Sequence, residues 1–332
     1  MGKSLEQVVA ILRRGKSIIQ PLPTPLEPTG EGLDVGVATK IIERAFSYGF
    51  HVFARSTTGA APFAAEGTSR SLIVLASDLG RNTDQLVFAG VPPRGTEETI
   101  RYINGFLQQT REVDVAVLPS PPHFFISPDE VLHHVKEVHD RTEMPIALYG
   151  FDDLFGTSYS LGMLSNALGL ERVIGIKSSN PNDYTSEALK IAHMRNKFLW
   201  VGSESDALHF YEMGCDGFVP SAANAVPLLF QRLQSLRQGD KKEHDFLKWS
   251  IISATQLLYP NKKYRQGIIY AMHVLFGAQK KLPKPLEYGL DGTQEKLIAQ
   301  YLGSALDDRI LEESFRPKVE AVTDTLPVLV LK

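Results

Sequence analysis

Lys177 stands out because it ends the otherwise apolar stretch VIGIK within the run VIGIKS (173–178). Apolar surroundings disfavour the ammonium form of a lysine, and the neutral amine attacks carbonyl carbon. Lys177 is therefore a candidate for Schiff-base catalysis. The alternative is an ordinary lysine at a strand end, either exposed or in a salt bridge.

Three hydroxyl residues end or follow similar runs. Tyr149 lies in PIALYG (145–150), and Thr57 and Thr58 follow HVFARS (51–56). A phenol and neighbouring hydroxyls can relay protons, and successive N–H groups in the tight STTG turn can bind a carboxylate. The alternatives are an aromatic residue that fills the interior and an ordinary Thr-Gly turn.

These candidates belong to a series of short apolar runs separated by helix-like segments. Such runs are typical of strands covered on both faces. There are eight: SIIQPL (17–22), HVFARS (51–56), QLVFAG (85–90), VDVAVLP (113–119), PIALYG (145–150), VIGIKS (173–178), FLWVGS (198–203) and DGFVPS (216–221).

The alternation requires parallel strands joined by crossover helices, in an open doubly wound sheet or a closed barrel. Eight units of similar length favour the barrel, and no G-x-G-x-x-G follows the first strand. We predict an α/β fold, a (β/α)8 TIM barrel with a C-terminal helical appendage. The barrel and a short N-terminal helix occupy residues 1–238, and helical periodicity without strands marks residues 239–332.

The active site of a barrel lies at the C-terminal ends of its strands, so polar residues there are further candidates. They are Thr24, Ser56, Ser120, Ser203, Glu204, Ser221 and Asn224. Of these, Ser120 is taken as a substrate-binding residue. The spacing of His134 and Glu137 would suit a metal on a helix, but outer barrel helices face away from the active site, so we predict no metal.

Composition narrows the class of protein. The 332 residues include 43% hydrophobic residues and carry a net charge of −3, which favours a folded protein that binds neither nucleic acid nor membrane. The single cysteine, Cys215, excludes an internal disulfide, and no apolar run approaches a membrane span. We expect a cytoplasmic protein with a small-molecule partner.

The motifs together resemble the dihydrodipicolinate synthase and N-acetylneuraminate lyase family. The similar segments are PLPTP, STTGA, LYG, GIKSSNPND and VGSESDALHFYEMGCDGFVPSAANAVP. The resemblance implies that Lys177 forms an imine with pyruvate or another 2-oxo acid and that Tyr149 relays protons. It also implies that Thr57 and Thr58 hold the carboxylate, that Gly202 and Val219 line the substrate, that no cofactor is needed, and that the chain forms a homodimer or homotetramer.

Three residues depart from the family pattern. Ala60 replaces a glutamate in the turn, Pro121 replaces a tyrosine that reaches a neighbouring subunit, and Leu154 replaces an arginine that grips the second substrate. His123, Phe124 and Phe125 follow Pro121 and reshape the pocket or pack at a subunit contact.

The leading functional hypothesis is a Schiff-base lyase or synthase of this family, including 4-hydroxy-tetrahydrodipicolinate synthase itself. The departures favour an aldolase, dehydratase or deaminase of a 2-keto-3-deoxy sugar acid or a hydroxyproline-derived 2-oxo acid. A hypothesis of another class is a catalytically weakened protein that binds 2-oxo acids.

Overall fold

A computed structural model describes residues 2–110, 113–121, 127–156 and 159–305 of the chain. Eight parallel strands form a closed barrel, in which each strand pairs with the next and β8 pairs with β1. This confirms the predicted barrel, and every predicted run contains one strand. The strands are β1 (Ser17–Pro21), β2 (His51–Ala54), β3 (Val87–Gly90), β4 (Val115–Pro119), β5 (Ile146–Gly150), β6 (Val173–Ser178), β7 (Phe198–Val201) and β8 (Gly217–Phe218).

Helices surround the barrel and continue beyond its last strand. A π-helical turn (Ile103–Leu107) follows the fourth helix, and 3-10 turns lie at Ser221–Asn224 and Pro260–Lys262. The α-helices are α1 (Leu5–Leu12), α2 (Val35–Ser47), α3 (Glu66–Gly80), α4 (Thr96–Tyr102), α5 (Pro128–Asp140), α6 (Asp152–Phe155), α7 (Leu161–Ala167), α8 (Asn182–Met194), α9 (Ala207–Glu212), α10 (Pro227–Ser235), α11 (Lys241–Leu258), α12 (Tyr264–Phe276) and α13 (Gly292–Ala305).

Large side chains fill the interior of the barrel, because successive residues of a strand point to opposite faces. Phe88 and Trp200 meet there edge to face, with ring centroids 5.8 Å apart. Gly175 makes room for this packing, since a Cβ atom at that position would lie 2.9 Å from the Trp200 ring and collide with the Phe198 carbonyl. The interior is therefore a packed core.

Helix α1 closes the end of the barrel opposite the C-terminal ends of the strands. It begins at the cap residue Ser4, whose hydroxyl accepts from the Gln7 N–H while the Gln7 side chain accepts from the Ser4 N–H. Its buried residues Val8 and Leu12 belong to the same apolar cluster as Leu86 at the start of the barrel interior. An amphipathic helix thus seals one end of the barrel.

The C-terminal helices pack against the barrel without a break in the apolar core. Leu247 and Ile251 of α11 and Ile268 of α12 share one buried cluster with barrel residues. At Gly267 a Cβ atom would collide with the Leu258 carbonyl, so glycine allows the close approach of α12 to the end of α11. The division near residue 238 stays a prediction.

Parts of the sequence predictions fall outside the described residues. These include the suggested role of His123, Phe124 and Phe125, and the part of the helical appendage beyond residue 305. Within the described part of the chain, no helix has the length and apolarity needed to cross a membrane.

Candidate active site

Lys177 and Tyr149 lie side by side at the mouth of the barrel. They occupy paired positions on β6 and β5 and are 7% and 4% exposed. The Lys177 Nζ atom lies 3.8 Å from the centroid of the Tyr149 ring. In the part of the chain that the structure describes, no carboxylate forms an ion pair with Lys177. Its amine is therefore buried beside an aromatic face rather than held in a salt bridge.

Small and apolar residues shape the space around this lysine. Val219, Phe53 and Trp200 line a narrow apolar cavity together with Lys177. A Cβ atom at Gly202 would lie 3.2 Å from the Lys177 Cε atom and collide with the Ser179 hydroxyl. Gly202 and Val219 thus border the lysine side chain.

The STTG turn brings two threonines to the same mouth. The Thr57 hydroxyl lies 3.3 Å from the Tyr149 hydroxyl, and the Thr58 hydroxyl lies 2.6 Å from that of Ser221. Among the residues with described positions, no acceptor pairs with the backbone N–H groups of Thr57 and Thr58. Unpaired successive N–H groups can bind an anion such as a carboxylate.

Local backbone geometry fixes this turn. Ala60 has φ of 54°, in the left-handed region that non-glycine residues seldom adopt. A Cβ atom at Gly59 would lie 2.7 Å from both the Leu22 carbonyl oxygen and the Thr24 hydroxyl. The turn therefore needs glycine at 59 in order to pack closely on the end of β1.

Ser120 lies apart from this cluster in its contacts. It is completely buried directly after β4, near the Tyr159 hydroxyl. No contact in the described structure joins it to Lys177. Its substrate-binding role stays a prediction.

The C-terminal region adds three side chains that sequence reasoning did not select. Tyr259 donates from its hydroxyl to Glu204 at 2.6 Å, and the Arg265 Nε donates to the Thr57 carbonyl at 2.8 Å. Tyr264 lies between them, with its ring centroid 6.0 Å from that of Tyr259 and 4.6 Å from the Arg265 Cζ atom. Tyr259 ends one predicted helical segment, and Tyr264 and Arg265 begin the next. Only the packing of the appendage on the mouth therefore identifies them.

Glu204 links three loops at the mouth. Its Oε1 accepts from the Ser221 N–H at 2.6 Å and from the Ala222 N–H at 3.2 Å, in addition to Tyr259. Burial raises the pKa of this carboxyl, although the hydrogen bonds oppose the shift. The carboxyl connects the loops after β7 and β8 to the C-terminal region.

The suggested metal ligands on α5 do not form a site. His134 is buried, with its Nδ1 3.0 Å from the Thr96 hydroxyl, and Glu137 pairs with Arg141 at 3.6 Å. Burial lowers the pKa of His134 to about 4. Within the described ranges no group of three or more His, Cys, Asp or Glu side chains could hold a metal ion.

The arrangement can bind and activate a small carbonyl acid. The Lys177 amine provides a nucleophile, the paired Tyr149 and Thr57 hydroxyls provide a proton path, and the N–H groups of the turn provide a place for a carboxylate.

Sequence comparison identifies similar proteins over most of the chain. The model of the dihydrodipicolinate synthetase family matches residues 15–293. The 4-hydroxy-tetrahydrodipicolinate synthase of Ehrlichia canis is 25% identical over 214 residues, which cover 64% of this chain and 70% of that protein. A DapA-like lyase of Halobacterium salinarum is 22% identical over 277 residues, which cover 82% of this chain and 88% of that protein.

Solved structures share the fold at lower sequence identity. YagE of E. coli K12, determined in complex with pyruvate, has a TM-score of 0.78 at 18% identity and covers 88% of this chain and 98% of its own. The dihydrodipicolinate synthase of Acinetobacter baumannii, also complexed with pyruvate, has a TM-score of 0.78 at 19% identity with the same coverage. At these identities the likeness concerns the fold.

Proposed function

Because this chain belongs to the dihydrodipicolinate synthetase family, we propose that it is a lyase or synthase that forms a Schiff base between Lys177 and pyruvate or another small 2-oxo acid. The observation that carries the proposal is the contact between the Lys177 amine and the Tyr149 ring, with the Thr57 hydroxyl at 3.3 Å from the phenol. The pyruvate complexes of two proteins of similar fold support the same substrate class.

In the first step the neutral amine of Lys177 attacks C2 of the 2-oxo acid. The amine nitrogen gains a bond to carbon, and the carbonyl oxygen, after taking up protons, leaves as water. Tyr149 and Thr57 move these protons, and the 3.3 Å distance between their hydroxyls supports this role. The N–H groups of Thr57 and Thr58 hold the C1 carboxylate beside the reacting carbon.

In the second step the protonated imine withdraws electrons from the neighbouring carbon. A bond at C3 then breaks heterolytically, and its electron pair forms the C=C bond of an enamine while the imine nitrogen becomes neutral. This bond can be C–H or C–C, so one site serves proton exchange, condensation and cleavage. The residues at the mouth decide which partner leaves or adds.

Reductive trapping tests the first step. The protein is mixed with pyruvate, treated with borohydride, weighed intact and mapped by peptide. We expect one adduct, on the peptide that contains Lys177. Lys197 is an internal control, because it is a partly buried lysine whose pKa burial lowers, and it directly precedes β7.

The same experiment can contradict the proposal. If well-folded protein forms no adduct with pyruvate or with other 2-oxo acids, or forms it on Lys197 instead, the proposed imine is wrong. Exchange of the pyruvate methyl protons with solvent, followed by NMR, then separates catalysis from binding. A protein that only binds 2-oxo acids would form the adduct without exchange at an enzymatic rate.

A further inference from the structure

Arg265 brings a cation to the mouth of the barrel from outside the barrel itself. It lies in the first turn of α12, and its Nε donates to the Thr57 carbonyl at 2.8 Å. The hydroxyl of that same Thr57 lies 3.3 Å from the Tyr149 hydroxyl. The guanidinium group thus contacts Thr57, which is itself part of the proposed proton path.

The guanidinium group has no acidic partner in the described part of the chain. None of the ion pairs found there includes Arg265. The one hydrogen bond between this side chain and the described residues is made by its Nε, so the four N–H groups of the two Nη atoms are available. These N–H groups form the fork that binds carboxylates. An arginine held at one nitrogen and open at the others is suited to bind an anion.

Neighbouring groups hold this side chain in place without neutralising it. The Arg265 Cζ atom lies 4.6 Å from the centroid of the Tyr264 ring, so the aromatic face supports the cation. Glu204, a carboxyl at the mouth, already accepts from Tyr259 and from two backbone N–H groups. The charge of Arg265 is therefore left for a ligand.

We propose that Arg265 determines substrate specificity by binding a second carboxylate, so that the preferred substrate is a 2-oxo acid whose carbon chain ends in another carboxylate. This inference rests on the proposed function, because Lys177 must hold the C2 carbon of the same molecule. The N–H groups of the turn take the first carboxylate, and Arg265 takes the second. A 2-oxo acid with an uncharged chain end leaves the guanidinium group without its ligand.

The substitution Arg265→Gln tests carboxylate binding by the guanidinium group separately from the hydrogen bond to the Thr57 carbonyl. The Nε2 atom of glutamine occupies the same place along the side chain as the Nε of arginine, so it can still donate to the Thr57 carbonyl. The charged fork is lost. Lys262→Gln is the matched control, because it removes one positive charge three residues away at an exposed position.

The experiment measures the concentration of each 2-oxo acid that gives half-maximal borohydride-trapped adduct. The probes are pairs of equal chain length: 2-oxoglutarate with 2-oxopentanoate, and 2-oxoadipate with 2-oxohexanoate. In the wild type and in Lys262→Gln we expect at least one dicarboxylate to have a half-saturating concentration about 10-fold or more below that of the monocarboxylate of equal length. In Arg265→Gln this preference disappears, while the half-saturating concentration of pyruvate changes less than about 3-fold.

Any other outcome contradicts either the second-carboxylate site or the proposed function, and the results distinguish the two. If pyruvate gives an adduct but neither dicarboxylate is preferred in the wild type, or if Arg265→Gln keeps the preference, the second-carboxylate site is wrong and the imine stands. If no 2-oxo acid gives an adduct, the proposed function itself is wrong. Loss of the pyruvate adduct in Arg265→Gln alone would assign Arg265 to holding the STTG turn rather than to specificity.

Discussion

The two ends of the barrel treat their buried polar groups differently. At the end closed by α1, Asp114 accepts from the backbone N–H groups of Lys3 at 3.0 Å and Val87 at 2.8 Å. At the open mouth, the Lys177 amine faces an aromatic ring and lacks a carboxylate partner among the described residues. The buried carboxylate at the closed end is therefore satisfied within the chain, whereas the mouth keeps hydrogen-bonding groups free.

This difference separates residues that stabilise the fold from residues available for chemistry. A buried polar group without a partner costs stability, while a ligand that supplies the partner gains affinity. A protein can carry a few such groups when the rest of its core compensates. We therefore expect substitutions at the mouth to change reactivity with little effect on stability, and substitutions at the closed end to do the reverse.

The largest effect is expected for Lys177→Met. The thioether side chain is unbranched and fills similar space but offers no nucleophile, so exchange of the pyruvate methyl protons should fall by at least roughly 10³-fold. No adduct should form on borohydride treatment, and the melting temperature should not fall, because the lysine has no ion pair to lose. A variant that keeps full exchange activity, or that unfolds, would contradict the separation of the two ends.

The next effect is expected for Tyr149→Phe. The ring that faces the Lys177 amine remains, but the hydroxyl 3.3 Å from Thr57 is lost. Proton exchange, measured by NMR, should slow by roughly 10²-fold or more, while the imine still forms at saturating pyruvate. Tyr184→Phe removes the hydroxyl of a partly buried tyrosine, which donates to the Tyr159 carbonyl, and should leave exchange unchanged. Equal rates in wild type and Tyr149→Phe would remove Tyr149 from the proton path.

At the closed end, Asp114→Ala should reduce the free energy of unfolding by about 2 kcal/mol, because two backbone donors lose their acceptor. Urea denaturation measures this loss, and the trapped pyruvate adduct at the other end of the barrel should form as before. Asp84→Ala is the control, since Asp84 is an exposed residue at the same end that pairs with Arg14 and should cost less than about 0.5 kcal/mol. If Asp114→Ala lost the pyruvate adduct while its free energy of unfolding stayed unchanged, the proposed difference between the two ends of the barrel would be wrong.

The sequence predicted the strands, and the position of the candidate residues at the barrel mouth, because both depend on local patterns. Apolar runs of strand length mark the barrel, and parallel strands bring Tyr149 and Lys177 to the same edge. The pairing of Thr57 with Tyr149 follows from the same rule. In these cases the position along a strand determines the position in space.

Other features could not be predicted because they depend on contacts between distant segments. Arg265 lies 208 residues from Thr57 along the chain, and its place at the mouth depends on how the appendage packs. Asp114 is the second residue of a predicted strand, but its role requires Lys3, which lies 111 residues away. Neither residue belongs to a motif, so spacing alone carries no signal for them.

The smallest effect we predict is a pH dependence at the closed end, carried by His51. This residue begins β2 and is buried, and its Nδ1 accepts from the Leu86 N–H at 3.1 Å. Burial, together with the positive charges of Lys3 and Arg14, lowers the pKa of His51 from 6.5 to about 4. The folded protein therefore favours the neutral imidazole more than the unfolded chain does.

The sign follows from that difference, because the unfolded chain binds the proton first as the pH falls. The stability contributed by neutral His51 is complete above the unfolded pKa and is lost as the pH falls toward the folded value. Between pH 7 and pH 5.5 this loss should amount to about 1 kcal/mol. In His51→Asn the amide oxygen can still accept from the Leu86 N–H, but it does not titrate. Urea denaturation at the two pH values should therefore show a loss of stability that is smaller than in the wild type by about that amount. The control is His133→Asn, which replaces an exposed histidine in the same way. Equal losses of stability in the wild type and in His51→Asn would mean that His51 does not carry this acid sensitivity.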